Sequence, residues 1–319
     1  MLRELVLEAA SLERGGTTLS QKELSSLIDA AALQQLLGAN QHDSMFCAHV
    51  NLSCLPGSSA WLAAHPVDDG RAIDSPLFQV ALKRRVRAPI FQSEEYCPLC
   101  GEILDVWGDH ALVCSCGGDR TIRHNAVRNV VYDEAVGAGT RPEREKAGLL
   151  PARPGADGLP ANLNGAQGRR PADVWLPRGS SGQAEALDFA VSSGLQSELF
   201  RASADEPGFV FHRYEQMKRS YKDTAQICQA AGFKFTPFVF EAHGGGWSVA
   251  SRKVVDWISR QAAAIQQEDP ATVSFKIAQR ISCTLHRENA RAILRRQAAR
   301  PVSSFQPSGW DNSSLQADF

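Results

Sequence analysis

Residues 171–191, PADVWLPRGSSGQAEALDFAV, predict two adjacent β-strands joined by a short turn. Apolar and polar residues alternate in PADVWL and again in ALDFAV, and a period of two is typical of strands with two different faces. The glycines and serines of PRGSSGQ are typical of a hairpin turn. The alternation places Asp173 on the face opposite Val174, and Asp188 on the face opposite Phe189.

Further elements extend on both sides of this hairpin. A helix is predicted over residues 122–136 and a second over about 211–231, each followed by glycine. FKFTPFVFE, residues 233–241, predicts a third strand, and two more helices follow over 247–265 and 273–299. Helices alternating with strands predict an α/β fold with a mixed sheet flanked by helices.

The segment before residue 90 is predicted to be mostly helical. Over residues 1–40 apolar residues recur at helical spacing, and Ser20 with Glu23 forms a capping-box pattern. Residues 78–87 predict a basic amphipathic helix. Residues 148–168 are rich in Pro, Gly, Ala and Asn and predict a loop.

These patterns divide the chain into five segments. They are a helical segment 1–90, a Cys/His element 91–120, an α/β domain 121–265, a C-terminal helix 266–300 and a disordered tail 301–319.

Composition describes an ordinary globular protein. Of 319 residues, 43% are hydrophobic and 22% are charged, with 34 Lys plus Arg against 35 Asp plus Glu. A nucleic-acid surface would therefore have to be local, and basic clusters occur at 83–85, 169–170 and 291–300. No apolar run approaches the roughly 20 residues of a membrane span. No signal peptide is recognised, and we expect a reducing intracellular location.

Four of the eight cysteines lie within 20 residues, between CPLCG and DHALVCSC. Tetrahedral zinc takes four Cys or His ligands. Cys97, Cys100 and His110 supply three, and either Cys114 or Cys116 supplies the fourth. The pattern predicts a structural zinc site, and the alternative is a set of free thiols.

Asp173 and Asp188 form a candidate site for a second metal. Residues facing each other on antiparallel strands have Cβ atoms about 5 Å apart, so the two carboxylates could share a Mg²⁺ ion. Asp188 lies in an otherwise apolar strand, where an ionised carboxylate is costly without a partner. The alternative is a pair of ordinary strand-end aspartates.

Nucleases that use such a pair also place a basic side chain near the metal-bound water. The strand position two residues after Asp188 is Ala190, so the lysine would have to come from the helix at 211–231. An apolar stripe there comprises Tyr214, Met217, Tyr221, Ala225 and Cys228. Lys218 borders this stripe, whereas Lys222 points further towards solvent, so Lys218 is the stronger candidate.

Glu143 is a possible third acid, and Glu145 competes for the role. The alternative for either is a solvated, charged turn.

The remaining candidates for metal or catalytic residues are weaker. No familiar metal-site spacing fits the second Cys/His group, which comprises Cys47, His49, Cys54 and His42. We expect three other histidines to be surface residues or to have their hydrogen bonds satisfied, namely His212, His243 and His286.

Several stretches together carry a family resemblance. In order they are CPLCG, GDHALVC, RHNAVRNVV, RRPADVWL, ALDFAVSS and FVFEAHGGGW. Over about residues 50–260 the chain resembles the C-terminal region of non-long-terminal-repeat retrotransposon polyproteins, in which a Cys/Cys/His/Cys knuckle precedes a restriction-like PD-(D/E)XK endonuclease. GSSAWLAAHP and FQVALKRRVRAP resemble the linker between the reverse-transcriptase thumb and that knuckle.

The resemblance implies a restriction-endonuclease-like core, structural Zn²⁺ and catalytic Mg²⁺. It implies that Asp173 and Asp188 are the paired acids, that Lys218 is the helix lysine, and that His124 is structural or contacts DNA. The expected partners are DNA and element RNA, in the nucleus.

This chain departs from the family pattern at four points. The helix reads MKRSYKD over residues 217–223, whereas the family more often has lysine immediately before the tyrosine. Ala172 lies between the proline and the aspartate of the PD motif, nine residues separate Cys100 from His110, and no reverse-transcriptase motif with paired aspartates is present. The alternatives to an endonuclease are a catalytically decayed nucleic-acid-binding remnant and a zinc-stabilised interaction module.

Overall fold

A computed structural model describes residues 20–150 and 171–298, which adopt a mixed α/β fold. The predictions for residues 1–19, 151–170 and 299–319 lie outside the described residues. These are the helical start, most of the predicted loop, the Arg169–Arg170 cluster and the predicted disordered tail.

The α-helices are α1 (Gln21–Ala39), α2 (Ser44–Ser53), α3 (Ser75–Arg85), α4 (Asp109–Val113), α5 (Asp119–Gly137), α6 (Phe200–Asp205), α7 (Phe209–Ser220), α8 (Thr224–Ala230), α9 (Val249–Gln266) and α10 (Pro270–Ala298). The strands are β1 (Glu95–Tyr96), β2 (Ile103–Leu104), β3 (Glu143–Arg144), β4 (Val174–Leu176), β5 (Glu185–Ser192) and β6 (Lys234–Glu241). Short 3₁₀ helices cover Ala60–Ala63 and Tyr221–Asp223.

The main sheet has the strand order β3-β4-β5-β6. Strands β3, β4 and β5 are antiparallel neighbours, and β6 runs parallel to β5. The predicted hairpin and the predicted third strand are therefore confirmed. Strand β3 was not predicted, because two residues are too few to show an alternating pattern.

The two sheet faces carry the side chains that alternation predicts. On one face Val174, Leu187 and Phe189 form a buried cluster with residues of α5, α9 and α10. On the other face Trp175 and Ala186 pack against Cys228 and Phe233, next to a cluster built on Ala190, Val239 and the α2 residue Leu52. Asp188 therefore lies on the face that α7 covers.

The helix predicted over 211–231 is wrong as a single element. It ends at Ser220, and left-handed φ angles at Lys222 (50°) and Asp223 (54°) separate α7 from α8. Met217 and Tyr221, two members of the predicted apolar stripe, are 48% and 58% exposed. A stripe extrapolated along one straight helix cannot follow a chain that changes direction at residue 221.

Helix α10 connects the sheet to the Cys/His element. Near its start Val273 and Ile281 pack in the sheet cluster. Further along, Ala290 and Ile293 pack against the Cys/His element. Helix α10 therefore contacts both the α/β core and the Cys/His element.

The loop after β6 packs against α2. A Cβ on Gly244 would overlap the backbone carbonyl oxygen of Leu52. We expect Gly244→Ala to lower the free energy of unfolding by about 3 kcal/mol, because a backbone atom cannot move aside without shifting α2. Gly38→Ala is the control, since nothing lies within 4 Å of its Cβ position. Urea denaturation would measure both, and equal midpoints would contradict this close packing.

Candidate functional site

Four predicted ligands converge at the Cys/His element. The β1–β2 hairpin carries Cys97 and Cys100, while α4 carries His110 and ends at Cys114. Their ligand atoms all lie within 4.8 Å of one another. A tetrahedron with Zn–S of about 2.3 Å and Zn–N of about 2.0 Å has edges of roughly 3.5–3.8 Å. This Cys₃His set could hold a metal such as zinc.

The structure distinguishes Cys114 from Cys116. Cys114 belongs to the ligand group, whereas Cys116 meets the Cys114 thiol through its backbone oxygen, 3.9 Å away. Sequence spacing left the two open, because two residues after a short helix are equally reachable. The tertiary structure favours Cys114.

Backbone hydrogen bonds position His110. The carboxylate of Asp105 accepts hydrogen bonds from the amides of Trp107, Asp109 and His110 at 2.7–3.0 Å. These bonds cap the first turn of α4 and direct the His110 Nε2 atom to within 3.2 Å of the Cys100 thiol. The ligand geometry is therefore set by the fold of the element.

The electrostatics of the ligand group differ from residue to residue. Burial raises the pKa of Cys97, but the amides of Leu99 and Cys100 outweigh it and hold that pKa below its ordinary value. Burial lowers the pKa of His110, which favours the neutral imidazole. The Glu102 amide lowers the pKa of Cys100, but burial and the Cys114 and Cys97 thiols outweigh it and raise that pKa to about 11. Thiolate and neutral imidazole are the forms that bind zinc, so metal binding would release the proton of Cys100.

We expect Cys114→Ser to lower the zinc content of the purified chain to well below one equivalent, because a structural zinc site needs all four ligands. Cys116→Ser is the matched control and should retain the metal. Elemental analysis of both variants measures this, and the opposite ranking would assign the fourth ligand to Cys116.

The two aspartates of the hairpin lie opposite each other. Val174 pairs with Leu187, so the next position places Asp173 beside Asp188. Asp173 Oδ2 accepts a hydrogen bond from the Phe189 amide at 2.7 Å, and its Oδ1 lies 3.3 Å from His124 Nε2. Strand pairing and helix α5 thus both orient the Asp173 carboxylate.

Lys218 reaches Asp188 from α7. Its Nζ lies 2.8 Å from Asp188 Oδ2, and the two side chains are 28% and 18% exposed. Lys222, in the left-handed turn after α7, is exposed and lies 5.3 Å from the Tyr221 ring centre. Of the two candidate lysines, the structure brings only Lys218 to the aspartates.

The electrostatics of the pair are asymmetric. Burial would raise the pKa of Asp173, but the His124 and Phe189 hydrogen bonds keep it below its ordinary value. Burial raises the pKa of Asp188 despite the attraction of Lys218, and the Asp173 charge adds to the rise. Burial would lower the pKa of Lys218, yet the two aspartates raise it. Lys218 is therefore a protonated ammonium.

The structure does not bring the proposed third acid into this group. Glu143 is 51% exposed and forms an ion pair with Lys146 at 2.6 Å. Glu145 pairs with Arg128 at 3.0 Å. Among the described residues, neither glutamate lines the cleft around the aspartates.

That cleft, the acidic cleft, has a volume of about 450 Å³. Its lining comprises Ser115, Arg120, Thr121, His124, Asp173, Asp188, Phe189, Ala190, Val191, Tyr214 and Lys218. Two carboxylates thus lie in an open depression beside a lysine and an arginine. Such a depression could accept a metal ion together with an anion.

Two predicted basic clusters contribute little free positive charge. Arg84 is 3% exposed and donates to the Trp107 carbonyl, and Arg296 is fully buried against Asp119. Arg295 also pairs with Asp119. These arginines are held by partners within the protein, whereas Lys83 is exposed. Arg84, Arg295 and Arg296 are therefore not free surface charges.

A buried polar network was missed. His49 Nδ1 lies 2.6 Å from His243 Nε2, and Arg84 Nη2 lies 2.6 Å from His243 Nδ1. His243 is therefore not isolated, and His49 does not join the weak Cys47 cluster. His286, also expected to be a surface or satisfied histidine, is 5% exposed and packs against Trp61, and its Nε2 has no hydrogen-bond partner among the described residues. His49 and His243 are 194 residues apart, so no local sequence pattern marks their contact.

A scan against protein-family models, a search of curated proteins and a search of solved structures each found no match for this chain. In the part of the chain that the structure describes, no helix combines the length and apolar character needed to cross a bilayer.

Proposed function

We propose that this protein is a Mg²⁺-dependent DNA endonuclease with a restriction-endonuclease-like core. One observation carries the proposal: Lys218 reaches Asp188 from a helix, 2.8 Å away, while Asp173 lies opposite on the neighbouring strand. Two carboxylates with one ammonium in an open cleft are the groups that metal-assisted phosphodiester hydrolysis requires. The family resemblance in the sequence supports the same activity.

Asp173 and Asp188 would hold the metal. Mg²⁺ binds proteins through one or two carboxylates and keeps several waters, which leaves positions for a phosphate oxygen. When bound, the ion would supply an activated water and stabilise charge on the phosphate. Both acids are hard oxygen donors on rigid strands, so the donor set fits this ion.

The remaining side chains have distinct tasks in this proposal. Lys218, which stays protonated, donates to the attacking water or to a phosphate oxygen and so stabilises the developing negative charge. His124 fixes the orientation of Asp173 through its Nε2 contact. Arg120, on the rim of the cleft, attracts the backbone of the substrate.

The alternative is a decayed, zinc-containing nucleic-acid-binding remnant. One contact favours it: Lys218 already neutralises the Asp188 oxygen that a metal would need. DNA is the partner in either case, with element RNA as a second partner and the nucleus as the site of action by resemblance. The two proposals differ in whether a phosphodiester is cleaved.

Nicking of supercoiled plasmid with Mg²⁺ separates them. We expect the full chain to nick, and Lys218→Met to nick about 10²–10³-fold more slowly, the usual cost of removing a donor that stabilises a transition state. Lys222→Met is the matched control, since it removes an exposed lysine four residues away, and it should nick at the wild-type rate.

Two results would contradict the endonuclease proposal. One is a wild-type chain that binds DNA but does not nick it with any divalent cation. The other is equal loss of nicking in the Lys218 and Lys222 variants, which would reduce Lys218 to one basic surface residue among several.

A further inference from the structure

The acidic cleft does not end at the aspartates. It adjoins a second concavity of about 200 Å³, the middle cavity. Arg120, Val191 and Tyr214 line both. Arg213 of α7 lines the middle cavity as well. Because these residues line both, the two concavities lie side by side.

The adjoining concavities continue to the Cys/His element. The middle cavity shares Val113, Ser193 and Gln196 with a third concavity of about 320 Å³, the Trp107 pocket. Three adjoining concavities thus run from the carboxylate pair to Trp107, between the Cys/His element and the loop after β5, and together they are called the groove.

The Trp107 pocket has the chemistry of a site for a planar ring. The Arg87 guanidinium lies 4.4 Å from the centre of the Trp107 ring. Met45, Leu195 and Phe200 supply an apolar wall. Its volume is at the lower end of the roughly 300–1,000 Å³ of small-molecule pockets. An aromatic ring, a guanidinium and an apolar wall favour a flat, unstacked base.

The two acids of this pocket do not repel an anion strongly. Asp105 accepts hydrogen bonds from three backbone amides. Asp109 pairs with Arg84 and Arg87 at 3.1 and 2.6 Å. Local donors therefore already balance both carboxylates.

Free positive charge lies between the two ends of the groove. Arg120 and Arg213 are both exposed. Neither forms an ion pair with any residue in the ranges 20–150 and 171–298. Glu198 is the acid that lines the middle cavity. Two unpaired guanidinium groups in the middle of the groove suit successive phosphates.

We propose that this groove binds a single strand of nucleic acid, with phosphates on Arg120 and Arg213 and one unstacked base in the Trp107 pocket. The proposal rests on the proposed function, and it adds that the strand leaving the cleavage site is unpaired. A base in a duplex remains stacked and cannot turn sideways against Trp107 without the cost of unstacking. A flap or a melted strand does not have that cost.

The test uses the zinc-loaded full chain with fluorescent single strands of DNA and of RNA, and with a blunt duplex, in Ca²⁺ buffer. We expect Trp107→Ala to weaken single-strand binding about 5- to 150-fold, the usual effect of losing one stacking aromatic side chain. Arg120→Gln and Arg213→Gln should each lower the salt slope by about 0.7. Arg260→Gln, an exposed arginine of α9 outside the groove, is the matched control.

A second readout does not depend on the folding of the Trp107 variant. A fluorescent 2-aminopurine base is placed at a different position in each of a series of strands. On binding to the wild-type protein, its fluorescence emission should change at one position and little at the others. The same emission at every position, or duplex binding as tight as single-strand binding, would overturn the groove assignment. A chain that shows the single-strand behaviour but never nicks plasmid would keep the groove and lose the endonuclease.

Discussion

Asp188→Asn is expected to lower Mg²⁺-dependent plasmid nicking by at least about 10³-fold. Loss of a metal that contributes several kcal/mol of charge stabilisation corresponds to a rate change of this size. Asp188 is the better of the two aspartates to substitute, because Asp173 also accepts a hydrogen bond from the Phe189 amide and so helps to stabilise the hairpin. Asparagine has the same shape as aspartate and can still accept a hydrogen bond from Lys218.

The control for this experiment is Asp133→Asn, which removes an exposed carboxylate from α5. Both variants should keep the wild-type melting temperature within a few degrees and should bind DNA in Ca²⁺ buffer. Nicking by Asp188→Asn at the rate of Asp133→Asn would exclude the aspartate pair as the cleavage site.

Acidification is expected to destabilise the fold between pH 7 and pH 5 through its buried histidines. Burial lowers the pKa of His49 to about 4 and the pKa of His286 to about 3. An unfolded histidine has a pKa of about 6.5. In this window the unfolded chain binds more protons than the folded chain, so stability rises with pH and falls on acidification.

The expected cost is about 2 kcal/mol for each of these two histidines over the two pH units. Burial also lowers the pKa of His243 well below its ordinary value, and this acts in the same direction. Urea unfolding at a series of pH values measures the effect. His286→Gln should reduce the pH dependence by about 2 kcal/mol, because its neutral amide takes up no proton.

His65→Gln is the control for the acid series, since His65 is exposed. Zinc release on acidification affects all variants alike and therefore cancels in the comparison. An unchanged pH dependence in His286→Gln would show that the His286 ring reaches solvent in the folded state.

Local patterns predicted the parts of the site that depend on neighbouring residues. Alternation along β4 and β5 placed Asp173 and Asp188 on facing positions, because the strand period is fixed by the backbone. The spacing of Cys97, Cys100 and His110 predicted the ligand cluster, because a short hairpin and one helical turn bring such residues together. Lys218 was selected although its helix was predicted too long, since its angular position depends only on the first turns.

Other features required contacts between distant segments. Nothing near Lys222 in sequence marks the left-handed turn that ends α7. The pairing of His49 with His243 joins positions 194 residues apart, and no local pattern reports such a contact. Arg84 and Arg296 looked like surface charges because a basic side chain carries no local mark of burial.

By itself, the sequence determined strands β4, β5 and β6, most helices, the facing aspartates and three of the four residues of the Cys/His ligand group, because periodicity and short-range spacing are properties of the backbone. Only the tertiary structure placed Cys114 rather than Cys116 beside the other three, brought Lys218 and not Glu143 to Asp188, and set the Trp107 pocket next to a cavity that adjoins the cleft. Those outcomes depend on how α4, α7 and α10 pack together, and packing is decided by the burial of side chains that are far apart in sequence.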